Sequence, residues 1–532
     1  MDSPDGGRAM GAVPYWREGC ALWYIPSPDH TPFAPMRMAD SPAQPTLARK
    51  LTLVGLVATG VCSMIGVAIN TIPFTLQRSV PGIGPNVLAA FVIAAVPALL
   101  AGLAYAVLAS AMPNAGGTYV YASRALNPYL GFAASFSQWL AISVAMGVVS
   151  YMLMPFLRDL ALALEWPAVA RAFDGGVLRI AIPFALLWAA AFVNIRGVET
   201  YQRTVVPLMF LTLAIGAVVI MAGMLYTHAD FAAALMAREG IALPASLPAP
   251  GSRFPIFAAV PVIFSCFIGF DSIAQAGGEA KDPTRNLPLA ILISVVGVAI
   301  FYLMFTASVY HAVPWSFVAE RSLTQDVTAP GLLGYLLPRP WAVLIAAGVS
   351  LALIKDLPAM LMGISRLLFA WAEDGIFPVR VAAVHPVHRT PHVAIMLSTA
   401  MASLAVVGCS VANDFLLGID ILVTAMLVNF ILMCVSVLAL PVRNPAIAAR
   451  VIVLKSRPLQ LLVAGAGVLS LGALLVVHTA RDLQAPIPWY LRSTWDWLIV
   501  MAIGTAIYLR ETRKLRAAGV DVEARFKELP AQ

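Results

Sequence analysis

The chain has 532 residues, of which 60% are hydrophobic and only 11% charged, with a formal net charge of +7. A soluble domain carries about 25% charged residues, so these figures exclude an ordinary water-soluble enzyme, and the apolar content excludes a disordered chain. They describe an all-α polytopic membrane protein embedded in a lipid bilayer, since transmembrane helices satisfy their own backbone hydrogen bonds there.

In chain order, residues 1–48 contain eight prolines and no apolar run. They read as a disordered cytoplasmic tail without a cleavable signal. Met36 and Met38 stand directly before a more ordinary opening sequence, so the stretch upstream of them is expected to be dispensable. About 20 apolar residues span a bilayer as a helix, and about 12 segments meet that length: 51–76, 86–111, 129–157, 177–195, 203–226, 255–276, 288–312, 341–371, 393–412, 415–440, 458–478 and 488–509. The basic loop Arg443–Arg457 sets the last two apart. The expected organisation is therefore a ten-helix core over 49–440, two additional helices over 441–510 and a solvated cytoplasmic tail over 511–532. Loops on one side carry more than twice the Lys and Arg of the other, which places both termini in the cytoplasm. The same bias accounts for the net charge, and nothing in it calls for nucleic acid.

Two segments are interrupted at their centres by small and polar residues, the first at Gly60–Asn70 and the sixth at Phe264–Ser272. Paired interruptions at corresponding places in two five-helix halves point to an inverted repeat with a binding site at the bilayer midplane. Unwinding frees backbone groups that lipid cannot satisfy, so they must line a cavity. The competing reading is that Gly66 and Gly269 only permit close helix packing.

Four motifs give the chain a resemblance to permeases of the amino acid–polyamine–organocation superfamily, from Lys50 to about Arg510. They are Ser63–Asn70 before Pro73; Tyr105–Tyr121 followed by Pro128 and Gly131; Phe267–Ser272 followed by Glu279–Pro288; and Ser365–Arg366 through Ala372–Pro378. The resemblance implies a five-plus-five inverted repeat with two extra C-terminal helices. It also implies secondary active transport of amino acids or related amines by alternating access, as a symporter or antiporter. It places substrate contacts at Ile65, Gly66, Val67 and Ala68 in the first segment and at Phe267, Ile268, Gly269 and Phe270 in the sixth, with segments three, eight and ten completing the site. The chain departs from the usual Gly-Ser/Thr-Gly-Ile pattern, running Gly66, Val67, Ala68, Ile69. The missing hydroxyl and glycine weaken a pocket for a substrate carboxylate at a helix N-terminus. Val107 replaces the acidic residue usual in segment two, and segment five has no lysine.

Ionisable residues inside a span are expensive and generally face a cavity. Asp271 follows the sixth-segment break, where it is either a coupling group or a helix cap. Asp420 lies early in segment ten. Lys355, in segment eight, is either the group that takes up and releases a coupling proton or half of a static salt bridge. Asp271 and Asp420 are the expected partners, because neighbours on a continuous helix point about 100° apart and Asp356 would face elsewhere. Glu279 and Arg366 are either an inner gate or ordinary juxtamembrane charges.

The sequence has no phosphate-binding loop, nucleophile elbow or zinc-protease motif, and its five cysteines are too scattered for a metal or disulfide framework. No enzyme, cofactor or metal is expected. The expectation is a bacterial inner-membrane permease using a proton as coupling ion. The alternative is a non-transporting nutrient sensor of the same fold.

Overall fold

A computed structural model describes residues 51–114, 116–196, 199–243, 254–388, 390–412, 414–526 and 528–529. The tail expected to be disordered over 1–48 lies outside the described residues. Among these residues the chain is helical throughout, and its only extended pairing is the isolated bridge between Leu51 and Ala280.

The first span is two helices, α1 (Leu53–Met64) and α2 (Val67–Ser79). Thr52 starts α1 by accepting a hydrogen bond from Gly55 N–H at 3.3 Å, the usual role of a threonine N-cap. There follow α3 (Val87–Ala111), the short α4 (Gly117–Ala125) and α5 (Pro128–Ala163). Asn127 caps α5 by accepting from Leu130 N–H at 2.8 Å, with Pro128 pre-set for the first turn. Its 36 residues make a rod of about 54 Å, well beyond the roughly 30 Å of a bilayer core. The next spans are α6 (Leu178–Arg196) and α7 (Glu199–Leu225). The sixth span divides into α8 (Phe254–Phe264), a 3-10 turn at Ser265–Phe267 and α9 (Asp271–Gln275). After α10 (Pro283–Ala312), the eighth span also divides, into α11 (Arg339–Ile354) and α12 (Asp356–Glu373). The remaining long helices are α13 (His392–Ala412), α14 (Leu416–Arg443), α15 (Arg457–Gln484) and α16 (Ser493–Ala517).

Among the described residues, eleven helices are long and apolar enough to cross a membrane, one fewer than the segments read from the sequence. The exception is the twelfth: α16 is long enough, but Asp496 at its start and Arg510, Glu511, Arg513, Lys514 and Arg516 at its end dilute the apolar stretch. Of the spans, α5 is the most buried, and it packs against α11, α12, α13 and α14. Helices α6 and α15 lie at the periphery, where exposed side chains such as Trp188, Phe192, Leu462 and Leu469 form the apolar surface a bilayer requires.

The C-terminal segment is not the solvated tail expected. Phe526 is buried against Tyr119, with the Arg124 guanidinium 4.7 Å from its ring centre, and Arg124 Nε donates to the Glu528 carbonyl at 3.1 Å. One aromatic among charges was enough to seat the segment, because burying its ring outweighs solvation of its neighbours. This places the C-terminal segment beside α4.

Candidate substrate site at two broken helices

The first break is two residues wide. Ile65 is extended, and Gly66 (φ −148°, ψ −132°) precedes α2 without a side-chain cap. The second break turns on Gly269, whose φ of +137° only glycine adopts without strain. A Cβ there would also stand 2.6 Å from the Ser63 carbonyl oxygen. The two breaks therefore touch through glycine backbone.

Side chains satisfy the freed groups. The Tyr302 hydroxyl, on α10, lies 2.6 Å from the Met64 carbonyl and 3.0 Å from the Cys266 carbonyl, one on each broken span. Asn70 Nδ2 donates to the Gly66 carbonyl at 3.0 Å. Ser272 donates to the Gly269 carbonyl at 2.6 Å, and its oxygen lies 3.1 Å from that of Ser63 across the breaks. Asp271 accepts from Gly269 N–H at 3.1 Å and from the Gln138 amide of α5.

Between the breaks lies a cavity of about 890 Å³, part of it open to solvent. Helices α5, α12 and α14 complete its wall, mainly with apolar side chains such as Ile142, Val149, Met360, Phe415 and Leu422. Of the substrate contacts expected from the motifs, Gly66, Val67, Ala68, Ile268 and Gly269 line this cavity, and so does Asp271. The other three do not. Ile65 faces a second space of about 340 Å³ between α2, α7, α10 and α11. Phe267 packs against Phe91 and Tyr302, while Phe270 stacks on Phe430 beside Tyr105. A bulky aromatic at an unwound segment gains more from filling the core behind the break than from lining a wet cavity.

Lys355 is not on the cavity wall, and its partner is the one the helix geometry disfavoured. The helix turns at Lys355, and its ammonium lies 3.8 Å from Asp356 Oδ1, with both side chains almost fully buried. The expected partners lie elsewhere: Asp271 is held by Gln138, and the Asp420 carbonyl oxygen is 3.1 Å from His478 Nε2. Lys355 keeps helical torsions (φ −66°, ψ −25°), so the two residues do leave the backbone in different directions, and it is the long lysine stem that brings its ammonium back toward the neighbouring carboxylate. It is Asp356 that reaches the cavity. Its Oδ2 lies so close to Gly66 that a methyl group there would overlap it.

Glu279 and Arg366 meet in an ion pair of 2.7 Å. The Glu279 backbone also accepts from Leu51 N–H at 2.9 Å, tying the entry of α1 to the end of the sixth span. At the far end of the bundle is a cluster the sequence did not disclose. Arg78 reaches Asp326 at 3.2 Å and Asp414 at 3.3 Å, and Arg179 reaches Asp326 at 3.5 Å. Burial holds the Asp414 carboxyl above the ordinary carboxylate range, against the pull of Leu416 N–H and the Arg78 guanidinium. Arg78 closes the last turn of α2, Arg179 opens α6, and Asp326 and Asp414 lie in two separate connections, so no local pattern joins them. Tyr302 and Gln138 were likewise passed over, although a lone phenol or amide in an apolar span is a usable signal, since each must find a partner when buried.

A family model described as amino acid permease matches residues 51–508. A branched-chain amino acid permease of Bacillus subtilis is 25% identical over 77% of this chain and 84% of its own length. A methylthioribose transporter of the same organism is 25% identical over 65% of this chain and 72% of its own. A vacuolar cationic amino acid transporter of Arabidopsis thaliana is 28% identical over 66% of this chain and 57% of its own.

Proposed function

The chain belongs to the amino acid permease family, and on that premise we propose that it is a secondary active transporter moving amino acids or related amines by alternating access. The observation that carries this reading is that both broken spans turn their glycines, Gly66 and Gly269, onto one cavity walled by α5, α12 and α14. Broken helices are tolerated at membrane depth where their freed backbone lines a cavity, and a solute is what such a cavity is for. The names of the relatives support the breadth of the class, since they include branched-chain and cationic amino acids as well as methylthioribose.

In this reading the two breaks belong to corresponding members of a five-plus-five inverted repeat, with α15 and α16 added to it. Both termini are cytoplasmic, in the inner membrane of a bacterium. The Glu279–Arg366 pair closes the cytoplasmic end and the Arg78–Asp326–Asp414 cluster the opposite end, so that each must part in turn. Lys355 carries the coupling proton, being an almost fully buried ammonium placed 3.8 Å from the Asp356 carboxylate that reaches the cavity. Proteoliposomes containing the purified chain and preloaded with unlabelled solute test the reading by counterflow. Trace radiolabelled solute accumulates transiently if the protein is a carrier. Binding without counterflow would instead fit a sensor.

A further inference from the structure

The electrostatics of the cavity narrow the substrate class further. Among the described residues, its wall carries two ionisable side chains, Asp271 and Asp356, and no Lys, Arg or His. Asp271 is 1% exposed and is held by neutral donors, the Gln138 amide and Gly269 N–H. Asp356 is 4% exposed. Its Oδ1 has no hydrogen-bond partner, and its nearest cation is Lys355, 3.8 Å away and outside the wall. Counting Lys355, the site sets two carboxyl groups against one ammonium, so that a second cation, either a proton or a charged group of a ligand, is needed to balance both carboxylates. A buried charge without a counter-charge is strongly unfavourable, and a ligand bearing one positive charge would neutralise the set.

The same atoms work against a carboxylate. An amino acid's carboxylate would seek the uncapped N-terminus of α2, where free N–H groups and the helix dipole favour an anion. Here Asp356 Oδ2 already lies against Gly66 at that terminus. The hydroxyl and second glycine that would help to hold a substrate carboxylate are replaced by Val67 and Ala68. A second carboxylate would meet the first in a setting of low dielectric, where like charges repel strongly. The rest of the wall, including Ile72, Ile142, Val148, Met360, Phe415 and Ile419, offers apolar contact.

We propose that the cavity binds the ammonium group of a small apolar amine that has no carboxylate, the ammonium lying between Asp271 and Asp356. This rests on the transporter reading and sharpens it: the substrate is the decarboxylated counterpart of an apolar amino acid.

The test is calorimetric titration of the full chain in detergent with matched pairs: 3-methylbutylamine and leucine, 2-methylpropylamine and valine, 2-phenylethylamine and phenylalanine. In each pair the amine binds about tenfold or more tightly than the amino acid, in line with roughly 1.4 kcal/mol per tenfold and the strength of charged hydrogen bonds. The acid 4-methylpentanoate, which keeps the carboxylate and lacks the amine, does not bind. Asp271→Asn and Asp356→Asn each weaken 3-methylbutylamine by a similar factor while eluting as monodisperse protein. If a variant aggregates, the pairs on the unmodified chain decide. Amino acids binding as tightly as their amines would overturn the proposal. So would leucine binding with uptake of one proton that Asp356→Asn abolishes, because Asp356 would then be donating to a substrate carboxylate. Counterflow separates the levels. Leucine carried and the amine not carried refutes the amine and leaves the transporter standing, whereas a panel neither bound nor carried refutes both.

Discussion

Removing the Tyr302 hydroxyl should loosen both broken spans at once. Tyr302→Phe keeps the ring, which packs against Phe91 and Phe267 with centroids 6.1 and 5.6 Å apart, so little apolar contact is lost. What disappears is the single O–H shared between the Met64 carbonyl at 2.6 Å and the Cys266 carbonyl at 3.0 Å. Tyr302 is fully buried, so water does not readily take its place. A neutral hydrogen bond contributes about 1 kcal/mol net, and a buried acceptor left without a partner costs about 1–3 kcal/mol. The expected destabilisation is therefore about 1–3 kcal/mol, read as a lower midpoint of thermal unfolding in detergent. Because the carbonyls belong to the two segments that frame the cavity, the apparent KM for counterflow should rise more than the loss of folded protein explains. An unchanged midpoint together with an unchanged KM would refute the claim that this hydroxyl joins the breaks.

Gly269→Ala should be more severe than a typical surface change, since a φ of +137° and a Ser63 carbonyl 2.6 Å from the new Cβ both oppose it. A loss of about 1–3 kcal/mol from backbone strain alone, measured by thermal unfolding, is expected together with loss of counterflow. Glu279→Gln should weaken the 2.7 Å pair with Arg366. The pair is mostly buried, with Glu279 8% exposed, so loss of this charged hydrogen bond should cost about 1.5–3 kcal/mol, and as a gate its loss should speed alkylation of a cavity cysteine from the side on which α1 begins. Lys355→Met should remove the dependence of uptake on a pH gradient. Breaking a buried pair leaves Asp356 uncompensated and costs about 3–5 kcal/mol, so the double change Lys355→Met with Asp356→Asn should recover folded yield without restoring that dependence.

Where sequence reading succeeded and failed follows from the range of the interactions involved. Spans are legible because lipid imposes a length and composition on each segment separately, and the breaks are legible because glycine and polar residues interrupt an otherwise apolar run. Gly66 and Gly269 were read from such local signals and Asp271 as a charge beside the break, while Val67, Ala68 and Ile268 came with the family resemblance, and all six line the cavity. Ile65, Phe267 and Phe270 did not, since a contact list carried over as a contiguous block ignores which way each side chain leaves an unwound backbone. Asp356 was visible as a charge but was set aside as a partner on helical geometry, which ignores how far a four-carbon lysine stem can swing toward its neighbour. The Arg78–Asp326–Asp414 cluster spans residues hundreds of positions apart. Arg78 is an ordinary helix-end charge, and Asp326 and Asp414 ordinary connection charges, until the fold brings them together. The twelfth segment is the marginal one: a helix forms where expected, at Ser493–Ala517, and the charges at its two ends make it more polar than the other spans.

The most direct test of the central claim, that solute occupies the cavity between the two breaks, is protection of a single cysteine placed on its wall. Ala359 lines the cavity on α12 and is 9% exposed, so Ala359→Cys in a background without the native cysteines adds one small reactive group there. Its rate of alkylation by N-ethylmaleimide should fall several-fold when 3-methylbutylamine, or whichever solute shows the strongest counterflow, is present at saturation. A rate unchanged by saturating solute, in protein that still performs counterflow, would place the binding site elsewhere and contradict the account.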